Sequence, residues 1–297
     1  MLDKEKVRVG ISPIGWTNDD MPELGEENTF EQCVSEMALA GFSGTEIGNK
    51  YPKDAATLKR ALDMRGLRIC NRWFSTYFLT RPFAETADLF ERELDFLSEL
   101  EAEVIGVSEQ SHSIQRAGQD IFGKKYTMDD REWTLLCDGL NGLGRIAASR
   151  GIRLSFHHHM GTVVQTEQEI DRMMQNTDPE LVFLLLDTGH LHFAGADPER
   201  MLERYVSRVG HIHVKDIRRD VLEQAKARKY SFLDAVRSGI FTVPGDGCVD
   251  FAPLFGILKK AGYRGWMVVE AEQNPSVANP FAYALKARRY IAKMTGL

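Results

Sequence analysis

Short apolar runs with strand character alternate along the chain with longer stretches whose apolar residues recur every three to four positions. The runs Val7–Ser12, Ser43–Gly48, Leu67–Phe74, Val104–Ser108, Ile152–His158, Leu181–Asp187, Val209–Lys215 and Trp266–Ala271 predict eight strands. Between them, Phe30–Ala40 sets Phe30, Cys33, Val34, Met37 and Ala38 on one helical face. Leu89–Leu100 does the same with Leu89, Phe90, Leu94, Phe96 and Leu97, and Trp133–Ser149 with Trp133, Leu136, Leu140, Leu143 and Ala147. Asp54, Asp129, Thr166 and Asp250 precede helical runs as N-caps.

Strand–helix alternation repeated eight times, with no Pro/Gly/Ser-rich linker, predicts parallel βαβ units. Eight such units close more naturally into a (β/α)8 TIM barrel of class α/β than into an open sheet, and one barrel domain spans 1–297. A doubly wound sheet usually carries a Gly-rich phosphate turn after its first strand, and Ser12-Pro13-Ile14-Gly15-Trp16 is not one. Ile217–Val249 breaks the rhythm. It reads as a polar insert with a Pro244-Gly245-Asp246-Gly247 turn, expected near the barrel mouth and over the pocket.

The chain has 297 residues, a formal charge of −6 and 43% hydrophobic residues, enough for a large core. An acidic balance without a Lys/Arg block argues against nucleic acid as a partner, because phosphate neutralisation needs concentrated positive charge. No apolar run approaches the roughly 20 residues of a membrane span. The charged start, Met1 to Lys6, resembles no targeting peptide, so a cytoplasmic location is expected. Cys33, Cys70, Cys137 and Cys248 are scattered, which predicts neither a disulfide framework nor a thiolate metal site.

Barrel active sites are built at the C-terminal ends of the strands. The fifth predicted strand ends in His157-His158-His159 and the sixth in Asp187-Thr188-Gly189-His190. The seventh contains His211-Ile212-His213-Val214-Lys215-Asp216, and the eighth ends in Glu270-Ala271-Glu272. Residues i and i+2 of a strand share a face, so His157 points with His159, His211 with His213 and Lys215, and Glu270 with Glu272. Imidazoles and carboxylates converging from four strands form a mixed N/O site for Mn²⁺, Co²⁺, Zn²⁺ or Mg²⁺. Glu46, Trp73, Glu109, Gln110 and His112 are candidate lining groups for a polyol pocket, with His190 and His211 as further substrate contacts.

The sixth-, seventh- and eighth-strand motifs resemble the xylose-isomerase-like TIM-barrel superfamily of sugar isomerases, ketose epimerases and a three-zinc endonuclease. Phe156-His157-His158-His159-Met160-Gly161-Thr162, Val268 to Pro275 and the opening Gly15-Trp16-Thr17-Asn18-Asp19-Asp20 further resemble its myo-inosose-2 dehydratase family. That resemblance implies loss of water from 2-keto-myo-inositol to give a trihydroxycyclohexane-dione, with Mn²⁺ or Co²⁺ and glutathione. It places Asp187, His213 and Glu270 at metal-ligand positions. Isomerases and epimerases of the superfamily usually carry a Glu where this chain has His157, which weakens the isomerase or epimerase alternative and makes His157 the fourth ligand expected.

Dehydrating a keto-polyol requires removing the proton α to the carbonyl and expelling the β-hydroxyl. His159 is the first candidate catalytic acid or base, with Lys215 and Glu272 as competitors. A nucleic-acid enzyme and a non-enzymatic metal-dependent binding protein are the other readings, opposed by the net charge and by the absence of an effector module. Barrels of this type often pair, which leaves a homo-oligomer open.

Overall fold

Every predicted strand forms, and the strands close into a ring. The computed structural model describes residues 1–297. Its strands are β1 (Val7–Ile11), β2 (Gly44–Glu46), β3 (Arg68–Asn71), β4 (Trp73–Thr76), β5 (Val104–Glu109), β6 (Arg153–His157), β7 (Val182–Asp187), β8 (Val209–His213), β9 (Asp216–Ile217), β10 (Phe241–Thr242) and β11 (Gly265–Val269). All but β9 and β10 pair in parallel, in the order β3-β2-β1-β11-β8-β7-β6-β5-β4.

β3 and β4 are one extended stretch interrupted at Arg72, the first half pairing with β2 and the second with β5. The predicted strand Leu67–Phe74 is thus split and runs on to Thr76. The Arg72 carbonyl still accepts the Gly106 N–H at 3.0 Å. Nine ladder segments therefore make eight barrel strands, and the fold is a (β/α)8 TIM barrel.

Local chemistry sets the helix starts. Asp129 accepts the Glu132 N–H at 2.8 Å while the Glu132 carboxylate accepts the Asp129 N–H at 2.9 Å, a reciprocal cap on the helix Asp130–Ser149. Thr166 does the same with Glu169, and Asp54 and Asp250 cap as expected. The helix expected at Leu89–Leu100 starts at Phe83, directly after Pro82, and Leu89 faces solvent rather than the core. Its first turn is largely exposed and shows no apolar period to read.

The segment after β8 is not the polar insert expected from composition. It folds into helices Arg219–Arg228 and Phe232–Arg237 and the antiparallel pair β9–β10. Phe232, Ala235, Val236, Ile240 and Phe241 are buried with Met21, Ile121, Met160 and Phe193, an apolar cluster separate from the main core. Asp216 fastens it: Oδ1 accepts the N–H groups of Ile217 and Val249 at 2.8 and 2.9 Å, and Oδ2 those of Gly245 and Gly247 at 3.0 and 2.9 Å. A Cβ on Gly247 would lie 2.4 Å from Asp216 Oδ1, so that turn requires glycine.

Candidate metal and substrate site

A cavity of about 490 Å³ opens where the strands end, and Glu46, Trp73, Gln110, His157, His159 and His213 are among the residues that line it, with Glu270 and Glu272. Behind this wall lie Asp187, Lys215, His190 and His211, all buried. His190 and His211, expected as substrate contacts, do not line the cavity. Glu109 does not either: its carboxylate accepts Thr76 Oγ1–H at 2.8 Å and the N–H groups of Phe78 and Ser111 at 3.0 and 3.1 Å. It pins two loops and is not a substrate contact. His112 stacks on Tyr126, with ring centroids 4.0 Å apart, outside the cavity.

The parallel register sets Asp187 beside His213 across β7 and β8. Asp187 Oδ1 accepts the His190 N–H at 2.8 Å and caps the helix Thr188–Phe193. Its Oδ2 lies 3.4 Å from His157 Nε2, 3.3 Å from His213 Nδ1 and 3.5 Å from Lys215 Nζ. The cap and the functional reading of Asp187 therefore coexist, one on each oxygen. Ligand-competent atoms of His157, Asp187 and His213 lie within 4.8 Å of one another. Glu270 joins them through Lys215, whose Nζ contacts its Oε2 and lies 3.2 Å from Glu272 Oε1. The aliphatic stem of Lys215 occupies the space where a Cβ on Gly189 would sit, 2.5 Å away, so the ammonium reaches the cluster only past a glycine.

Burial sets the protonation states. It lowers the His157 pKa to about 4, so the imidazole is neutral near pH 7, and neither ring nitrogen makes a well-formed hydrogen bond. His158, on the outward face, is lowered to about 3 by burial and accepts the Asp187 N–H on Nε2 at 3.2 Å. His159 is also pushed well below its ordinary value by burial; its Nδ1 donates to the Met160 carbonyl at 2.9 Å, which leaves Nε2 as the lone-pair nitrogen. Burial opposes the charge on Asp187, but Lys215 and His190 outweigh it and hold the carboxyl well below the usual range. Burial likewise opposes a charged His213, yet Glu46 and Asp187 lift it to about 9. Burial raises Glu272, with Lys215 pulling the other way.

A divalent cation fits this donor set. As formal charges, buried Glu46, Asp187, Glu270 and Glu272 carry four negatives against the one Lys215 ammonium, and a histidine that ligates is neutral and adds no positive charge. An uncompensated buried charge of that size is costly unless a cation shares the site. A fully buried neutral imidazole with both nitrogens unsatisfied points the same way.

Sequence reading missed several contributors. Phe241 lies with its ring centroid 4.4 Å from Lys215 Nζ, and Phe232 packs 5.1 Å from the His159 ring, both from the segment read as polar. Asn71 donates to Glu46 at 2.8 Å. At the rim, Asp20 pairs with Arg116 and accepts from Gln115, joining the loops after β1 and β5. A polar residue ending the apolar run Leu67-Arg68-Ile69-Cys70 was the available signal for Asn71.

A family model described as the xylose isomerase-like TIM barrel matches residues 34–294. The chain is 59% identical over its full length to inosose dehydratase of Clostridium beijerinckii and 56% identical to that of Geobacillus thermodenitrificans, covering 100% of each. The crystal structure of the IolI protein with a binding zinc atom superposes with a TM-score of 0.72 at 14% identity, over 97% of this chain and 98% of that one, a likeness of fold alone. The chain belongs to the inosose dehydratases within the xylose isomerase-like TIM barrels.

Proposed function

We propose that the protein is a metal-dependent hydro-lyase that removes one water from 2-keto-myo-inositol to give a trihydroxycyclohexane-1,2-dione in inositol catabolism. Full-length identity with inosose dehydratases carries this reading. The mouth of the barrel agrees with it: His157 stands among the ligand-competent groups where a second carboxylate would serve proton exchange in an epimerase.

In this reading His157, Asp187, His213 and Glu270 hold Mn²⁺ or Co²⁺, with Zn²⁺ also suited to the donor set. When bound, the ion acts as a Lewis acid that favours the enolate form of the ketone. His159, a neutral lining residue whose Nε2 keeps its lone pair, takes the proton α to the carbonyl. The C–O bond to the β-hydroxyl then breaks, and the departing oxygen receives a proton from the Glu272–Lys215 pair and leaves as water. The remaining enol tautomerises to the dione, so one C–H and one C–O bond are exchanged for the water lost. Trp73, edge-on to His157 and His159 at 5.3 and 5.7 Å, walls the substrate ring, and Gln110 offers a hydrogen-bond partner. No helix is long and apolar enough to cross a membrane. A cytoplasmic setting and a glutathione requirement complete the proposal, both resting on the sequence reading.

Purified protein loaded with Mn²⁺ or Co²⁺, with and without glutathione, should convert 2-keto-myo-inositol to a species with the ultraviolet absorbance of a dione. Recovery of an epimer or an isomeric ketose with no loss of water would overturn the dehydratase reading.

A further inference from the structure

Glu46 is the one carboxylate of the cluster that does not pair with Lys215. It ends β2, yet its Oε1 reaches across the barrel interior to the His213 Nε2 on β8 at 2.9 Å. The same oxygen receives the His211 Nε2 at 3.2 Å and the Asn71 Nδ2 at 2.8 Å. Three donors from two other strands thus converge on one atom. Gly106 on β5 makes room for this, since a Cβ there would meet Asn71 at 3.0 Å. The two nitrogens of His213 are divided between carboxylates: Nε2 toward Glu46 and His211, and Nδ1 toward Asp187 at 3.3 Å, so His213 belongs to two triples of ligand-competent groups, of which only the Asp187 triple includes His157.

A neutral imidazole carries its proton on one nitrogen and offers the other as a lone pair. A carboxylate bonded to Nε2 keeps the proton there, orients the ring and leaves Nδ1 as the coordinating atom, the arrangement by which outer carboxylates tune metal-bound histidines. We infer that Glu46 is a positioning residue for His213, with His211 and Asn71 holding its carboxylate in place, and not a substrate contact. Its working oxygen is already occupied by three protein donors. This inference rests on the proposed metal site at His157, Asp187, His213 and Glu270.

The test is Co²⁺ affinity, by competition with a chromophoric chelator, for wild type, Glu46→Ala, Glu46→Gln and Asp187→Ala, with KM and kcat at saturating Co²⁺. Glu46→Ala should weaken Co²⁺ binding about 10–100-fold, in the range for outer-carboxylate loss. Its KM should stay within about threefold, and Glu46→Gln, which keeps an acceptor for Nε2–H, should recover part of the affinity. Should Glu46→Ala fail to fold, Glu46→Gln still decides, with Co²⁺ affinity between wild type and Asp187→Ala expected. Unchanged Co²⁺ affinity in both Glu46 variants, or a raised KM at unchanged affinity, would overturn the inference. Wild-type protein that binds no Co²⁺ would instead remove the metal site beneath it.

Discussion

Asp187 and Asp216, both buried at the mouth of the barrel, are surrounded in opposite ways. Four backbone N–H groups satisfy Asp216 and tie the 244–249 turn to the strand end. Asp187 gives one oxygen to a helix cap and turns the other toward His157, His213 and Lys215. A carboxylate saturated by rigid backbone donors has no capacity left for chemistry and serves the fold. A carboxylate faced by side chains that leave lone pairs uncommitted can share a cation. Two buried aspartates are separated into these roles by what reaches them, not by burial.

The sharpest way to break the comparison is to remove each aspartate in turn. Asp187→Ala should lose both metal uptake and activity, with kcat/KM falling at least about 10³-fold, while elemental analysis finds less than stoichiometric metal. Stoichiometric metal in that variant would end its assignment as a ligand. Asp216→Ala should instead cost about 3 kcal/mol or more of unfolding free energy in denaturant titration, because several hydrogen bonds to a charged group vanish together, yet the folded fraction should still take up metal. Next in size, His159→Ala should keep metal and lose kcat by at least about 10²-fold, the scale of a general base.

Acid sensitivity sharpens the same contrast. His157 and His158 have folded pKa values of about 4 and about 3, below the ordinary 6.5. Between those values the unfolded chain binds more protons than the folded one, so the metal-free protein should lose stability as pH falls from about 6.5 towards 4. His213 works in the other direction: raised to about 9, its contribution is complete below about 6.5 and is lost as pH rises through 9. Denaturant midpoints measured across this range should fall on both sides of neutrality, and a profile flat from pH 4 to 7 would contradict the buried neutral histidines. The smallest expected effect is at Glu109: Glu109→Gln should lower stability by about 1–2 kcal/mol with kcat and KM unchanged, since it joins loops outside the cavity.

Much of this was legible from periodicity. Strand–helix alternation predicted the barrel, and the i, i+2 rule placed His157 with His159 and His211 with His213. Composition misled at 217–249, where charged residues cover a helical pair and a short strand whose Phe232 and Phe241 reach the histidines. Parity also could not tell Glu109 from Glu46. Both end strands, and only the three-dimensional path shows that one meets backbone donors of its own loops while the other crosses the barrel to His213. His158 was passed over because it points outward, yet from there it holds the backbone of Asp187.

The central claim is that the uncommitted donors around Asp187 bind a divalent ion required for dehydration. Chelator-treated protein titrated with Mn²⁺ or Co²⁺ in the presence of 2-keto-myo-inositol tests it most directly. Dione formation should be absent without metal, rise linearly to one equivalent per chain and then level off. Full dehydration by the chelated protein, or a rate indifferent to added metal, would contradict it.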